Sequence, residues 1–281
     1  MLFSNKDISD YYNQTLNHYT MWWKLSDALA VHYGIWLPGT KTFVEALQNT
    51  NREMVRNAGI RAEHHVLDAG CGVGGAAFFL ANRFGCKVTG ITLSQKQLDF
   101  AEKTKQSLHE KDLISFDLQD FTKTTFPENT FDFVWACESS CYADPKTQFI
   151  DEVFRVLKPG GKLILSDYFL SEEGIEDSQA YIRKWGETWA INNFNTENNF
   201  HDELERKEFR ILQNLDFTNE ITPSAKRMYL AYLFGSIPSN IYNLTHHTSR
   251  FAKTHYLSGK YQYLALKRKQ WTYRVIHAQK P

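Results

Sequence analysis

Asp68 and the glycines Gly70, Gly72 and Gly75 are the first residues in the chain whose types and spacing could do chemistry. A short apolar run, 66–69, leads into them, and an apolar helical stretch, 76–84, leads away. Glycines at such a strand-to-helix turn let a ligand lie against bare backbone at a helix N-terminus. The Gly70-x-Gly72-x-x-Gly75 pattern formally fits the dinucleotide fingerprint. Two neighbouring features redirect it. Asp68 would repel a pyrophosphate but suits a ligand that carries an ammonium and a sulfonium. The following strand ends Gly90-Ile91-Thr92-Leu93-Ser94, without the acid that grips the ribose of a nicotinamide cofactor. S-Adenosylmethionine therefore fits the loop better than NAD, and an NAD-linked oxidoreductase stays as the distant alternative.

Glu138 is the second chemical candidate. It follows the apolar stretch 131–136 and lies between Cys137 and Ser139. A carboxylate beside such a strand is expected to have a raised pKa and to serve in proton transfer. Trp185 and Trp189 stand four apart, so on a helix they share a face that could line a substrate pocket. Tyr12, Tyr19, His32, Tyr33 and Trp36 form an N-terminal aromatic set. Of the 21 Tyr and Trp residues, only Trp135, Tyr142 and Tyr168 fall within 64–170, so the amphipathic rings concentrate in the flanks.

The elements that must position these residues alternate. Strands are expected at 66–69, 87–92, 114–118, 131–136 and 162–166, with helices between them, which implies a parallel sheet covered on both faces. Ser94 with Gln97, and Thr42 with Glu45, are capping-box patterns. Asp144-Pro145 sets an N-cap before a first-turn proline. The helix after it is expected to end at 158–161. Beyond Leu170 the pattern is helical to about 215. A strand is expected at 217–222, irregular or helical sequence to about 269, and a final strand at 271–278.

The segment VLDAGCGVGGAAFFLANRFGCKVTGITLSQKQLDFAEK resembles the class I S-adenosylmethionine-dependent methyltransferases. More narrowly it is similar to the branch that holds sterol and tocopherol methyltransferases, geranyl diphosphate C-methyltransferase and cyclopropane fatty-acid synthases. Thr92-Leu93-Ser94-x-x-Gln97 matches that branch at the point where other members have an acid. The resemblance is strong over about 64–170 and weaker at His32-Tyr33-Gly34 and the last strand.

It implies a Rossmann-like sheet of seven strands, the last inserted antiparallel between the fifth and sixth. It implies an N-terminal helical lid over 1–60. A methyltransferase domain over 61–281 would follow, with helical cap insertions at about 171–215 and 223–265. By the same carry-over, Asp68, Ala69, Gly70 and Gly72 line the methionine and ribose part of the cofactor. Thr92, Leu93 and Gln97 approach ribose and adenine, and Asp120 and Phe121 hold the adenine. Tyr19 binds the cofactor from the lid, and Tyr33 forms the catalytic pair with Glu138. Trp36, Trp185 and Trp189 face the substrate. The expected reaction is methyl transfer to a small lipophilic acceptor, favoured as C-methylation of an isoprenoid-like alkene with Glu138 as base. N- or O-methylation of an amine or phenol is the alternative.

Composition sets limits around this. The chain has 32 Lys and Arg against 32 Asp and Glu. Zero net charge opposes broad binding to nucleic acid or an anionic membrane, although local patches are compatible with it. Lys267-Arg268-Lys269 is read as a solvated edge, with a diphosphate or an anionic headgroup as the alternative partner. No apolar run is long enough to span a bilayer, and no signal-peptide pattern opens the chain. Four cysteines make no disulfide scaffold. A cytoplasmic location, no metal, and a homodimer through the flank helices are the remaining expectations. His246, His247 and His255 lack the ligand spacing of a metal site.

Overall fold

The chain is described by a computed structural model covering residues 3–245 and 249–281, so the His246-His247 pair lies outside the described residues. Seven strands form one sheet: β1 His65–Ala69, β2 Lys87–Thr92, β3 Ile114–Leu118, β4 Phe131–Cys137, β5 Leu157–Leu170, β6 Arg210–Asp216 and β7 Trp271–Gln279. The order is β3-β2-β1-β4-β5-β7-β6. β1 to β5 run parallel, and β7 is antiparallel to both β5 and β6. The expected inserted last strand is therefore present.

The helices are α1 Asn5–Trp22, α2 Leu25–Ala28, α3 Phe43–Met54, α4 Gly75–Phe84, α5 Gln95–Lys105, α6 Lys146–Val156, α7 Glu172–Glu176, α8 Tyr181–Trp189, α9 Glu197–Arg206, α10 Thr218–Thr245, α11 Arg250–Thr254 and α12 Ser258–Lys267.

Alternation along the strands divides the core between two faces. Val66, Phe133, Trp135, Ile164, Tyr168, Tyr273 and Val275 point to one face, where α3, α4, α8, α10 and α12 pack. Leu67, Val134, Ala136, Leu163, Leu165, Ile276 and Ala278 point to the other, beneath α6 and α9. The first core carries the buried Tyr and Trp rings, whereas the second is built from aliphatic side chains and Phe.

Several local expectations are corrected. The sixth strand is 210–216, not 217–222. Phe217, Ile221, Ala225 and Met228 are buried at helical spacing, and the Ile221 N–H donates to the Phe217 carbonyl, so this stretch belongs to α10. The helical reading to about 215 overshoots because 210–216 pair with β7 as β6. Lys158-Pro159-Gly160-Gly161 does not end α6 as a free turn but is absorbed into the start of β5, where pairing with β4 shifts register. Pro145 is itself the N-cap of α6. Ser94 Oγ accepts from Gln97 N, but the Gln97 side chain turns to Thr92 instead of completing the box. Thr42 Oγ1 likewise accepts from Glu45 N, while Glu45 reaches Lys41 N, one residue before the cap. Helix α3 stops at Met54.

Candidate active site

A cavity with about 900 Å³ of space not filled by protein atoms, its open mouth included, lies at the carboxyl ends of β1, β2 and β4. This is where an open α/β sheet places ligands. Its floor is the glycine loop. Gly70 adopts φ +91°, and a β-carbon there would lie 2.5 Å from Ser139 Cβ. Only glycine lets the β1 and β4 ends meet, and Ser139 Oγ then donates to the Ala69 carbonyl at 2.6 Å. The third glycine lets the segment after α2 approach: a β-carbon on Gly75 would come within 1.9 Å of the Leu29 carbonyl oxygen.

Helix α1 and the segment after it close the roof. Ser9 Oγ donates to the Leu93 carbonyl at 2.8 Å, and Asn13 Oδ1 accepts from Ser94 Oγ at 2.7 Å. Asn5 Nδ2 donates to Asp120 Oδ2 at 2.6 Å. Ile8, Tyr12, Tyr19, Val31 and His32 thereby become cavity wall.

Asp68 and Gln97 present unfilled polar atoms to this space. Both side chains are buried, and Asp68 Oδ2 and Gln97 Nε2 have no hydrogen-bond partner. Thr92 Oγ1 accepts from Ser94 N, so its own hydrogen goes to Gln97 Oε1 at 2.8 Å. That fixes the amide and leaves its N–H₂ as a donor without an acceptor. Burial pushes the Asp68 carboxyl up to about 7. A buried orphan acceptor is costly to the empty protein, so a ligand bringing a donor or a cation to Asp68 and an acceptor to Gln97 fits the site. Thr92, Leu93, Gly70, Gly72 and Phe121 line the same end.

Glu138 stands at the other end in a different state. It is buried at φ +50°, a region that residues with a β-carbon seldom use. Its Oε1 accepts from Tyr33 N at 2.6 Å and from Tyr273 OH at 2.8 Å, and its Oε2 accepts from Tyr168 OH at 2.7 Å. Desolvation raises the carboxyl to about 8, against the pull of these three donors toward the charged form. Asp167 supports the neighbouring turn by accepting from Ser140 Oγ and Cys141 N. Around Glu138 the rings interlock: Tyr168 lies 5.0 Å from Trp185, 5.9 Å from Trp271 and 6.1 Å from both Tyr33 and Trp189.

Most of the residues singled out in sequence converge here, but five do not line the cavity. Asp120 is taken up by Asn5 and by Thr122, whose N–H and Oγ1 both donate to Oδ1, so it seats the start of α1. Ala69 is buried beneath the loop and contributes its carbonyl to Ser139. Tyr33 gives Glu138 its backbone N–H, while its hydroxyl donates to Gln262 Oε1. Trp36 donates its indole N–H to Ser224 and stands away from the site. Trp185 is fully buried in the ring cluster, and only Trp189 of that pair reaches the cavity.

Sequence reasoning missed Tyr168, Tyr273 and Tyr142. The signal lay in the exceptions: of the three amphipathic rings inside 64–170, Tyr142 and Tyr168 both line the cavity. Among the described residues no Lys or Arg lines it, and its acidic side chains are Asp68 and Glu138. No group of His, Cys, Asp and Glu suited to a metal occurs among the described residues. His255 instead faces Tyr11 and His18 at 3.2 Å each.

Residues 67–165 match the family model described as a methyltransferase domain. The chain is 33% identical over 168 residues to methyltransferase GfsG of Streptomyces halstedii, covering 58% of each. It is 31% identical over 179 residues to sterol 24-C-methyltransferase of Eremothecium gossypii, covering 64% of this chain and 47% of that one. The matches thus span about half the length of these curated relatives. Among solved structures, geranyl diphosphate C-methyltransferase from Streptomyces coelicolor A3(2) superposes with a TM-score of 0.77 at 18% identity, over 99% of this chain and 97% of that one. That likeness is one of fold. Residues 67–165 are thus similar to a methyltransferase domain, and the sheet order with the glycine loop at its switch point gives the chain the fold of that solved structure.

Proposed function

We propose that the protein transfers a methyl group from S-adenosylmethionine to a small lipophilic acceptor, and that the reaction is C-methylation of an isoprenoid-like alkene. The observation that carries this reading is a cavity whose wall combines aromatic rings with two carboxylates and no cation. The cofactor, when bound, supplies an activated methyl group on a sulfonium. Asp68, Gly70, Gly72, Thr92, Leu93, Gln97 and Phe121 would hold it, with Asp68 taking the cationic or hydroxyl-bearing part and Gln97 donating to an acceptor atom. The lid residues Tyr12, Tyr19 and His32 exclude water, and orientation in such a closed site can supply roughly 7–11 kcal/mol of the barrier.

An alkene that gains a methyl group becomes a carbocation and must lose a proton. Tyr168, Tyr142 and Trp189 offer electron-rich faces to that cation, an interaction worth about 0.5–2 kcal/mol each. Glu138 would take the proton onto its carboxylate, and the electrons of the broken C–H bond restore a double bond. Its three donors hold it in place and keep a share of it ionised at neutral pH. The wall disfavours an acceptor bearing a diphosphate, because nothing on it would neutralise the phosphate charge.

A small amine is the second reading, since the same carboxylates would welcome its cation. Labelled cofactor offered with uncharged terpenoid or sterol alkenes, amines and phenols separates the two. Alkene methylation that disappears in Glu138→Gln supports the first reading. Amine methylation that persists in that variant supports the second, because a neutral amine needs no base.

A further inference from the structure

The neutral overall charge conceals a strong asymmetry. Residues 221–281 hold 10 Lys and Arg and no Asp or Glu, while the preceding 220 residues hold 22 and 32. Within that basic part, α10 is apolar on two sides. Ile221, Ala225 and Met228 are buried against the domain. On the opposite side, Leu230, Leu233, Phe234 and Ile237 recur at three- and four-residue steps and are 41%, 45%, 77% and 71% exposed. Lys226 begins the same stripe one turn earlier and is exposed. Lys260 reaches the Tyr232 ring of α10 at 5.5 Å. Lys267, Arg268 and Lys269 are exposed at the end of α12.

A contiguous apolar stripe of this kind marks an interaction site. Its occupant follows from the charge. A two-fold pairing would set the same patch against itself and bring Lys226 and Lys260, which flank the stripe, toward like charges. A surface that is apolar within and anionic at its edge complements it. No helix among the described residues is long and apolar enough to cross a membrane. We infer that α10 docks in the plane of an anionic lipid surface, with Leu230, Leu233, Phe234 and Ile237 in the acyl boundary and the Lys and Arg side chains at the headgroups. The docking stands apart from the methyl-transfer reading, because no residue of the stripe lines the cavity.

Co-flotation of the full chain with vesicles tests it without any assay of activity. Vesicles of phosphatidylcholine with phosphatidylglycerol should carry the protein, vesicles of phosphatidylcholine alone should carry far less, and added salt should release it. Phe234→Asp with Ile237→Asp should abolish flotation, and these positions are exposed enough for the fold to survive, which the melting temperature checks. Lys226→Glu with Lys260→Glu should weaken binding tenfold or more, since each basic side chain at an anionic surface is worth about fivefold. Failure of the wild type to float with anionic vesicles overturns the inference. So does a wild-type dimer in light scattering that Phe234→Asp dissociates, which would make the stripe a contact between copies.

Discussion

The two buried carboxylates of the cavity differ in what completes them. Glu138 is completed by the protein: a backbone N–H and two tyrosine hydroxyls surround it. Asp68 keeps one oxygen with no partner, and Gln97 beside it keeps an unused donor. One end is preorganised before anything binds, as a catalytic group requires. The other is left polar and unfilled, as a binding group for a ligand requires. Burial raises both groups, so the difference lies in partners rather than depth.

The largest effect should come from removing the charge at the completed end. Glu138→Gln should lower kcat for an alkene by about 10²–10⁴, the usual share of a general base, with cofactor affinity nearly unchanged by calorimetry. Wild-type turnover in this variant would reduce Glu138 to part of the wall. Trp185→Ala should cost about 3–5 kcal/mol of unfolding free energy in denaturant melts, because this ring fills core and does not line the cavity. A change confined to KM for the acceptor would instead put Trp185 in the substrate site.

The unfilled end gives a smaller effect and an opposite sign for stability. Asp68→Asn should weaken cofactor binding about tenfold to a hundredfold, the range for a hydrogen bond to a charged group. In the ligand-free protein it should stabilise. The Asp68 pKa is raised on folding, so its favourable contribution is complete below the unfolded value and fades as pH rises through about 7. Glu138 acts in the same sense up to about 8. The ligand-free wild type should thus melt lower at pH 8 than at pH 5, with a smaller drop in Asp68→Asn. An unchanged melting profile would mean that Asp68 is not desolvated as described.

The smallest and sharpest test is Tyr273→Phe. Base catalysis by a carboxyl raised to about 8 gives a rate that climbs with pH toward a plateau above that value. A bound cation would move the climb downward. Loss of the Tyr273 donor weakens the charged form and should move the climb upward by roughly one pH unit, with little change in the plateau. An unmoved profile would show that the rate does not depend on ionised Glu138.

Much of the glycine-loop end of the cavity was legible in the sequence because it is local. The strand 66–69, the glycines, Thr92 and Gln97 lie within about thirty residues, and their turn and cap chemistry acts over a few residues at a time. The Glu138 end was legible only as that single residue. Tyr33 and Tyr273 are separated from it by 105 and 135 residues, so no spacing could announce them. Asp120 misled for a related reason. Its position after β3 suits an adenine, but Asn5, 115 residues earlier, claims the carboxylate.

The uneven spread of Tyr and Trp rings along the chain was a property of the sequence alone. So were the sheet and its inserted last strand, because hydrophobic period, glycine turns and family motifs are written in order along the chain. The tertiary structure decided which rings enclose a ligand and which fill core. Strand alternation gathers the buried Tyr and Trp rings on one face of the sheet and leaves aliphatic side chains and Phe on the other. On that face, depth relative to the strand ends separates Trp189, Tyr168 and Tyr142 on the cavity wall from the sealed Trp185. Burial and hydrogen bonding depend on what packs from distant segments, and composition cannot specify that.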